Sequence, residues 1–203
     1  MSRCEVMSSD KIKTFQMFTP EYNNIKKARD KSIYRKNFSG MDNFDYVINK
    51  YSGDDYWCLN NYLRKNKVSG NYNRKELMSW AWCLHSSLQC LKSNVPNGTQ
   101  VYRGISHRAP SGWTIGRIFY FGEFVSTTRD IKTAERFAKG KTLLIIDITN
   151  NGDNGHNNYC RDISEISQYD EQEVLITAFC RFKIKGKDNY KGLDRYYLDC
   201  LGY

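Results

Sequence analysis

The stretch Asn94-Val95-Pro96-Asn97-Gly98-Thr99-Gln100-Val101-Tyr102-Arg103-Gly104 divides the chain into halves of different character. Its first five residues form a turn cluster, because Pro presets φ while Asn and Gly accept the conformations of a tight reversal. Upstream of it, apolar residues recur at helical spacing. The clearest case is Arg74–Lys92, where Leu77, Trp80, Ala81, Leu84, Leu88 and Leu91 make one stripe. Shorter helices are expected over Pro20–Asn37 and Met41–Tyr51, and from a cap at Asp54 or Asp55 through Lys65. Downstream the pattern turns to strands, expected at Gln100–Ile105, Gly122–Thr127, Thr142–Thr149, Glu173–Lys185 and Arg195–Leu201. One short helix, Ile131–Lys139, stands among them, and residues 150–158 read as a loop. Helices first and strands second give an α+β class.

The chain has 203 residues, which suits one domain, residues 1–203, with a helical lobe over 1–95 and a β-rich core over 96–203. Its 31 Lys and Arg against 22 Asp and Glu leave a charge of +9, yet these residues lie in short pairs such as Lys26-Lys27 and Arg64-Lys65. That scatter fits solvated helix faces better than a nucleic-acid stripe, which needs a longer basic run with interleaved aromatics. No stretch reaches the length of a membrane span. Met1–Lys13 has no apolar h-region, so no signal peptide is expected; a cytoplasmic location is the default, with secretion or translocation left open. The seven cysteines include no Cys-x-x-Cys pair, and the three histidines are dispersed, so buried thiols rather than a metal site are expected.

Familiar nucleotide signatures fail on inspection. Gly140-Lys141-Thr142 resembles the end of a phosphate-binding loop, but Glu135 stands where its first glycine belongs and a strand follows rather than precedes it. Three pieces of the strand-rich half remain: Arg103-Gly104 at the end of a strand, the hydroxyl run Ser126-Thr127-Thr128, and Glu171-Gln172-Glu173 leading into Val174-Leu175-Ile176. On an extended strand the two carboxylates would share a face, about 6–7 Å apart.

In order and spacing these pieces resemble the Arg–Ser–Glu class of mono-ADP-ribosyltransferases, such as clostridial binary toxins and vertebrate ecto-enzymes. Thr128 stands where that class has its second Ser. Ala134 and Phe137 fit the class's A-x-x-F helix, and Tyr56 and Asn60 fit its NAD-contacting helix, so the similarity spans roughly residues 40–203. The resemblance implies a helical N-terminal lobe packed on two crossing, mainly antiparallel β-sheets, with NAD in the cleft between. It implies transfer of ADP-ribose from NAD to an arginine of a target protein with release of nicotinamide, NAD as co-substrate and no metal. The partners implied are NAD and the target protein, with no nucleic acid and no membrane span, and the chain is expected to be a monomer.

The chemistry agrees with the residue types. A guanidinium grips diphosphate oxygens as a fork, so Arg103 is the expected anchor, with Arg108 and Arg129 next in line. Gly104 brings its backbone to the nicotinamide amide, and Phe137 stacks on the ring. Cleavage of the N-glycosidic bond passes through an oxocarbenium-like transition state, which a nearby carboxylate stabilises. By resemblance that carboxylate is Glu173, positioned by Ser126. Glu171 faces the acceptor guanidinium, and Tyr169 lies on the loop that presents this turn to the target. The alternatives are an NAD glycohydrolase with the same residues and a non-catalytic basic binding module on the same fold.

Overall fold

The computed structural model describes residues 43–53, 56–70, 72–91, 95–149 and 159–202. The expected helix over Pro20–Asn37, the Asp54/Asp55 cap and the loop 150–158 lie outside them. The chain divides into two units, Met1–Cys90 and Leu91–Tyr203.

In the first unit three helices are described: α1 (Asn43–Ser52), α2 (Tyr56–Lys65) and α3 (Arg74–Cys90). The start of α3 is fixed by a reciprocal cap. Asn73 Oδ1 accepts from the Glu76 amide at 3.0 Å, and Glu76 Oε2 accepts from the Asn73 amide at 2.7 Å. Two donors that would otherwise lack intrahelical partners are thereby satisfied. The apolar stripe of α3 does what its spacing predicts: Leu77, Trp80, Ala81, Leu84 and Leu88 are buried, together with Ile48 and Tyr51 of α1 and Leu59 and Tyr62 of α2. The Lys50 ammonium lies 5.1 Å from the ring centroids of both Tyr72 and Trp80. Its charge thereby rests on two aromatic faces.

The second unit holds β1 (Gln100–Ile105), β2 (Ile118–Tyr120), β3 (Val125–Thr128), α4 (Ile131–Ala138), β4 (Thr142–Ile148), β5 (Cys160–Asp162), β6 (Glu173–Ile176), β7 (Arg181–Tyr190) and β8 (Leu193–Gly202). The strands order as β2-β7-β8-β4-β1-β3-β6-β5. Every pairing is antiparallel except β4 with β8. All eight strands lie in one mixed sheet, within which the blocks β2-β7-β8-β4-β1 and β3-β6-β5 take the place of the two expected sheets. The blocks join through one residue pair, Tyr102 with Thr128, whereas β1 and β4 match over six. One apolar cluster of the unit buries Val101, Val125, Leu144, Ile146, Ile176, Phe182 and Leu198, with the rings of Trp113 and Phe119 4.3 Å apart within it, and a smaller one buries Ala134, Leu143 and Ile145.

Three expectations change. The single strand expected over Glu173–Lys185 is two, β6 and β7, because Thr177–Cys180 turns the chain between them, with Phe179 at φ 68 and its amide bonded to the Phe121 carbonyl. Strands β2 and β5 were not expected. In β5 the polar triplet Cys160-Arg161-Asp162 carries a fully buried arginine, whose guanidinium donates to the carbonyls of Leu91 and Cys160. Four of the described cysteines, Cys58, Cys160, Cys180 and Cys200, are buried thiols. Among the described residues no helix is long and apolar enough to cross a membrane.

Candidate active site

The site forms where the two sheet blocks meet. On β1 successive side chains alternate between faces. Tyr102 and Gly104 turn toward α4, and Val101 and Arg103 turn to the other side. A Cβ on Gly104 would meet the Ala134 carbonyl oxygen at 2.0 Å and the Ala138 amide nitrogen at 2.4 Å. The glycine is therefore required by the close approach of α4. The sequence reading explained the missing Cβ by ligand access, whereas in the structure that space holds helix backbone. Helix α4 is fixed here by Asp130, whose carboxylate accepts from the amides of Lys132 and Thr133 and from the Thr133 hydroxyl. Those bonds, the Thr133 hydroxyl first, hold the Asp130 carboxyl below the usual aspartate range.

Arg103 is held on three sides. Its Nη1 donates to the Ser126 carbonyl at 3.1 Å, its Nη2 lies 3.9 Å from Glu123 Oε1, and its guanidinium carbon sits 5.8 Å from the Phe121 ring centroid. A guanidinium has five N–H donors, so these contacts aim the group and leave donors for a ligand. Arg108 and Arg129 are committed elsewhere: Arg108 pairs with Asp194, and Arg129 pairs with Asp162.

Strand β3 brings the hydroxyls. Thr128 lies opposite Glu173 and Ser126 opposite Leu175, so Ser126, Thr128 and Glu173 share a face of the β3–β6 pair. Thr128 Oγ1 donates to the Glu171 carbonyl at 2.5 Å and accepts from the Asp130 amide at 3.0 Å. Any hydroxyl at position 128 can make these two bonds, which accounts for Thr where the resembled class has Ser.

Glu171 and Glu173 reach the site by a turn and not by the expected extended strand. Strand β6 starts at Glu173, and Gln172 before it adopts φ 48. That left-handed conformation costs a residue other than glycine about 1 kcal/mol. Two main-chain bonds hold it: the Arg129 amide donates to the Gln172 carbonyl, and the Ile163 amide to that of Glu173. Glu173 is 7% exposed, and Glu171 is half-buried beside it. Burial pushes the Glu173 carboxyl above its ordinary range. Hydrogen bonds from Ser167 and Ser126 oppose this, Glu171 adds to it, and Arg103 opposes it again; the net direction is upward. The site can therefore present a guanidinium fork and a desolvated carboxylate together, with a second carboxylate alongside.

The structure thus brings Arg103, Ser126, Glu171 and Glu173 together. Phe137 stands on α4, the helix that follows β3, and is 52% exposed; Tyr169 is exposed on the segment before the Glu171 turn. Tyr56 and Asn60 belong to the helical unit and lie one turn apart on α2. Tyr56 is exposed; Asn60 is buried and donates to the Tyr51 hydroxyl at 2.9 Å.

A family model described as ADP-ribosyltransferase exoenzyme matches residues 23–201. The chain belongs to that family. Solved structures with the same fold include the ADP-ribosyltransferase Vis of Vibrio splendidus, in complex with agmatine. It is 18% identical, with 97% of this chain and 87% of that one covered at a TM-score of 0.65. Exoenzyme S from Pseudomonas aeruginosa, in complex with human 14-3-3 protein beta and bound to carba-NAD, is 15% identical with 92% and 84% covered at 0.63. The eukaryotic mono-ADP-ribosyltransferase ART2.2 is 24% identical with 94% and 78% covered at 0.58. A search of curated protein sequences finds no match.

The geometry of this ADP-ribosyltransferase adds three residues that the sequence reading did not single out: Phe121, Glu123 and Ser167. Glu123 had a legible signal, since a carboxylate between Phe121-Gly122 and Phe124-Val125, three residues before Ser126, needs a partner if that stretch is buried. Ser167 had none, being one polar residue among several in Asp162–Asp170.

Proposed function

We propose that this ADP-ribosyltransferase transfers ADP-ribose from NAD to an arginine of a target protein and releases nicotinamide, working as one domain. The observation that carries the reading is the convergence of Arg103, Ser126 and the Glu171–Glu173 turn at one junction of the sheet. Arg103 grips the diphosphate as a fork, aimed by the Ser126 carbonyl and Glu123. Phe137 and the Gly104 backbone receive the nicotinamide. Nicotinamide leaves as a neutral base, so no acid is needed; the demand is for negative charge beside the ribose as its cation develops. Glu173 supplies that charge and holds the ribose 2′-hydroxyl, with Ser126 fixing its carboxylate.

Glu171 lies on the same turn but is less buried, so it can meet a group arriving from outside. A guanidinium must share a proton before it attacks, and a carboxylate is the group that takes it. Agmatine, the guanidine bound in the Vis complex, supports an arginine-like acceptor, and carba-NAD in the exoenzyme S complex supports NAD as co-substrate. Tyr169 is a contact for the acceptor protein. The exoenzyme relatives fit a toxin or effector acting on another cell's protein.

The test is incubation with labelled NAD and cell lysate, followed by mass-spectrometric mapping. ADP-ribose on arginine side chains supports the reading. Free ADP-ribose alone identifies an NAD glycohydrolase, and salt-sensitive polyanion binding with no NAD cleavage identifies a binding module.

A further inference from the structure

Ser167 belongs to the segment between β5 and β6, six residues before Glu173. That segment is firmly built. The amides of Ile166 and Ser167 both donate to the Ile163 carbonyl, at 2.9 and 2.8 Å, and the Ile163 amide donates to the Glu173 carbonyl at 2.9 Å. Asp162 Oδ1 accepts from the Ser164 amide and hydroxyl, and Asp162 Oδ2 accepts from Arg129. The backbone of Ser167 is thus fixed relative to the first residue of β6. Its hydroxyl oxygen accepts from the Tyr169 amide at 3.4 Å, which leaves the hydroxyl proton to point elsewhere. It points at Glu173 Oε2, 2.9 Å away.

We propose that Ser167 is a positioning residue that keeps the Glu173 carboxylate ionised and aimed, coupling it to the acceptor-side segment Ile163–Asp170. Ser126 grips the same carboxylate from β3, so Glu173 is held between a sheet hydroxyl and a loop hydroxyl. The charged groups facing it are Glu171 on its own turn and Arg103 on β1, with Glu123 behind Arg103. Burial pushes Glu173 toward its protonated form, and Ser167 is the foremost group opposing that push. The proposal rests on the reading of Glu173 as the carboxylate that must be ionised for turnover.

Ser167→Ala and Ser167→Thr are compared with the wild type by NAD cleavage across pH and by the carboxyl carbon resonance of Glu173 across pH. Removing the hydroxyl should move the acid limb of kcat/KM, and the Glu173 titration with it, upward by about one pH unit. Ser167→Thr should restore both. Activity lost equally at every pH, with an unmoved titration, overturns the proposal and leaves Ser167 a structural residue. A wild type that releases no nicotinamide at any pH sinks the proposed function instead. The resonance then still decides the proposal, since a titration unmoved in Ser167→Ala overturns it and an upward move sustains it.

Discussion

On the β4, β7 and β8 strands, Asp147 and Asp199 share the Lys185 ammonium, at 2.5 and 2.9 Å, and Asp188 accepts two bonds from Arg195. At the β3–β6 end, Glu173 is buried among two serines, a second carboxylate and one arginine. The two neighbourhoods treat the same functional group in opposite ways. Burial would raise Asp147, but bonds from Lys185 and Gln100 outweigh it and hold the carboxyl below its ordinary range. The bonds from Arg195 do the same for Asp188. Glu173 is held above its range, because burial outweighs the bonds it receives. Surface carboxylates here are placed where ionisation is comfortable, and Glu173 is placed where its charge lacks a full complement. A charge in that condition gains most when a cation develops beside it, as the oxocarbenium-like transition state does.

The largest expected effect comes from abolishing that charge. Glu173→Gln should lower nicotinamide release on the order of 10²–10³-fold while NAD still binds. Half the activity remaining would remove Glu173 from its assigned role. The same variant should melt no lower than the wild type at neutral pH. The sign follows from linkage: a carboxyl whose folded pKa is raised binds its proton more tightly when folded, so stability falls as pH rises from the unfolded value through the folded one. The melting difference should therefore shrink below about pH 4, where both states carry the proton. A variant that melts lower at neutral pH and keeps that deficit in acid would show that Glu173 is held for stability.

A smaller effect is expected at Arg103. Replacing the fork with a point charge, Arg103→Lys, should weaken binding of a non-cleavable NAD analogue about tenfold, or roughly 1.4 kcal/mol, by calorimetry. An unchanged dissociation constant would move the phosphate anchor elsewhere. Since Arg108 and Arg129 already pair with Asp194 and Asp162, each would have to give up its partner first.

The smallest effect belongs to the comfortable side. Lys185→Met should cost no more than about 1 kcal/mol, because the three side chains are partly exposed and solvent screens them. Activity should be unchanged. Because Asp147 titrates below its unfolded value, the contribution of this network is present at neutral pH and lost as pH falls through the acid range. A chemical denaturation series at neutral and low pH checks both points, and loss of activity in this variant would erase the contrast between the two sides.

Much of the fold and of the site was legible in the sequence. The helical stripe of α3, the strand around Arg103, the hydroxyl run and the pairing of Glu171 with Glu173 all follow local periodicity or chemistry, which short-range rules capture. What escaped depended on contacts distant in sequence. Strand β5 holds a buried arginine whose carbonyl partners include Leu91, 70 residues away, so its polar letters read as loop. The break between β6 and β7 depends on Phe179 turning to meet Phe121. Gly104 was singled out for ligand access, but the backbone that demands a glycine there, that of α4, arrives from thirty or so residues later. The Glu171–Glu173 pair was read as extended because nothing in Glu-Gln-Glu announces a left-handed residue.

That turn also sets the most direct test. Glu173 is buried and Glu171 is less so, and the proposed function assigns bond cleavage to the first and acceptor activation to the second. Nicotinamide release and ADP-ribosylation of agmatine should be measured in one reaction for the wild type and for Glu171→Gln. The account predicts that Glu171→Gln loses the agmatine product and keeps much of its nicotinamide release, since water needs no carboxylate to orient it. Loss of both products to the extent seen in Glu173→Gln would mean that Glu171 serves NAD directly, and would contradict the assignment of an arginine acceptor.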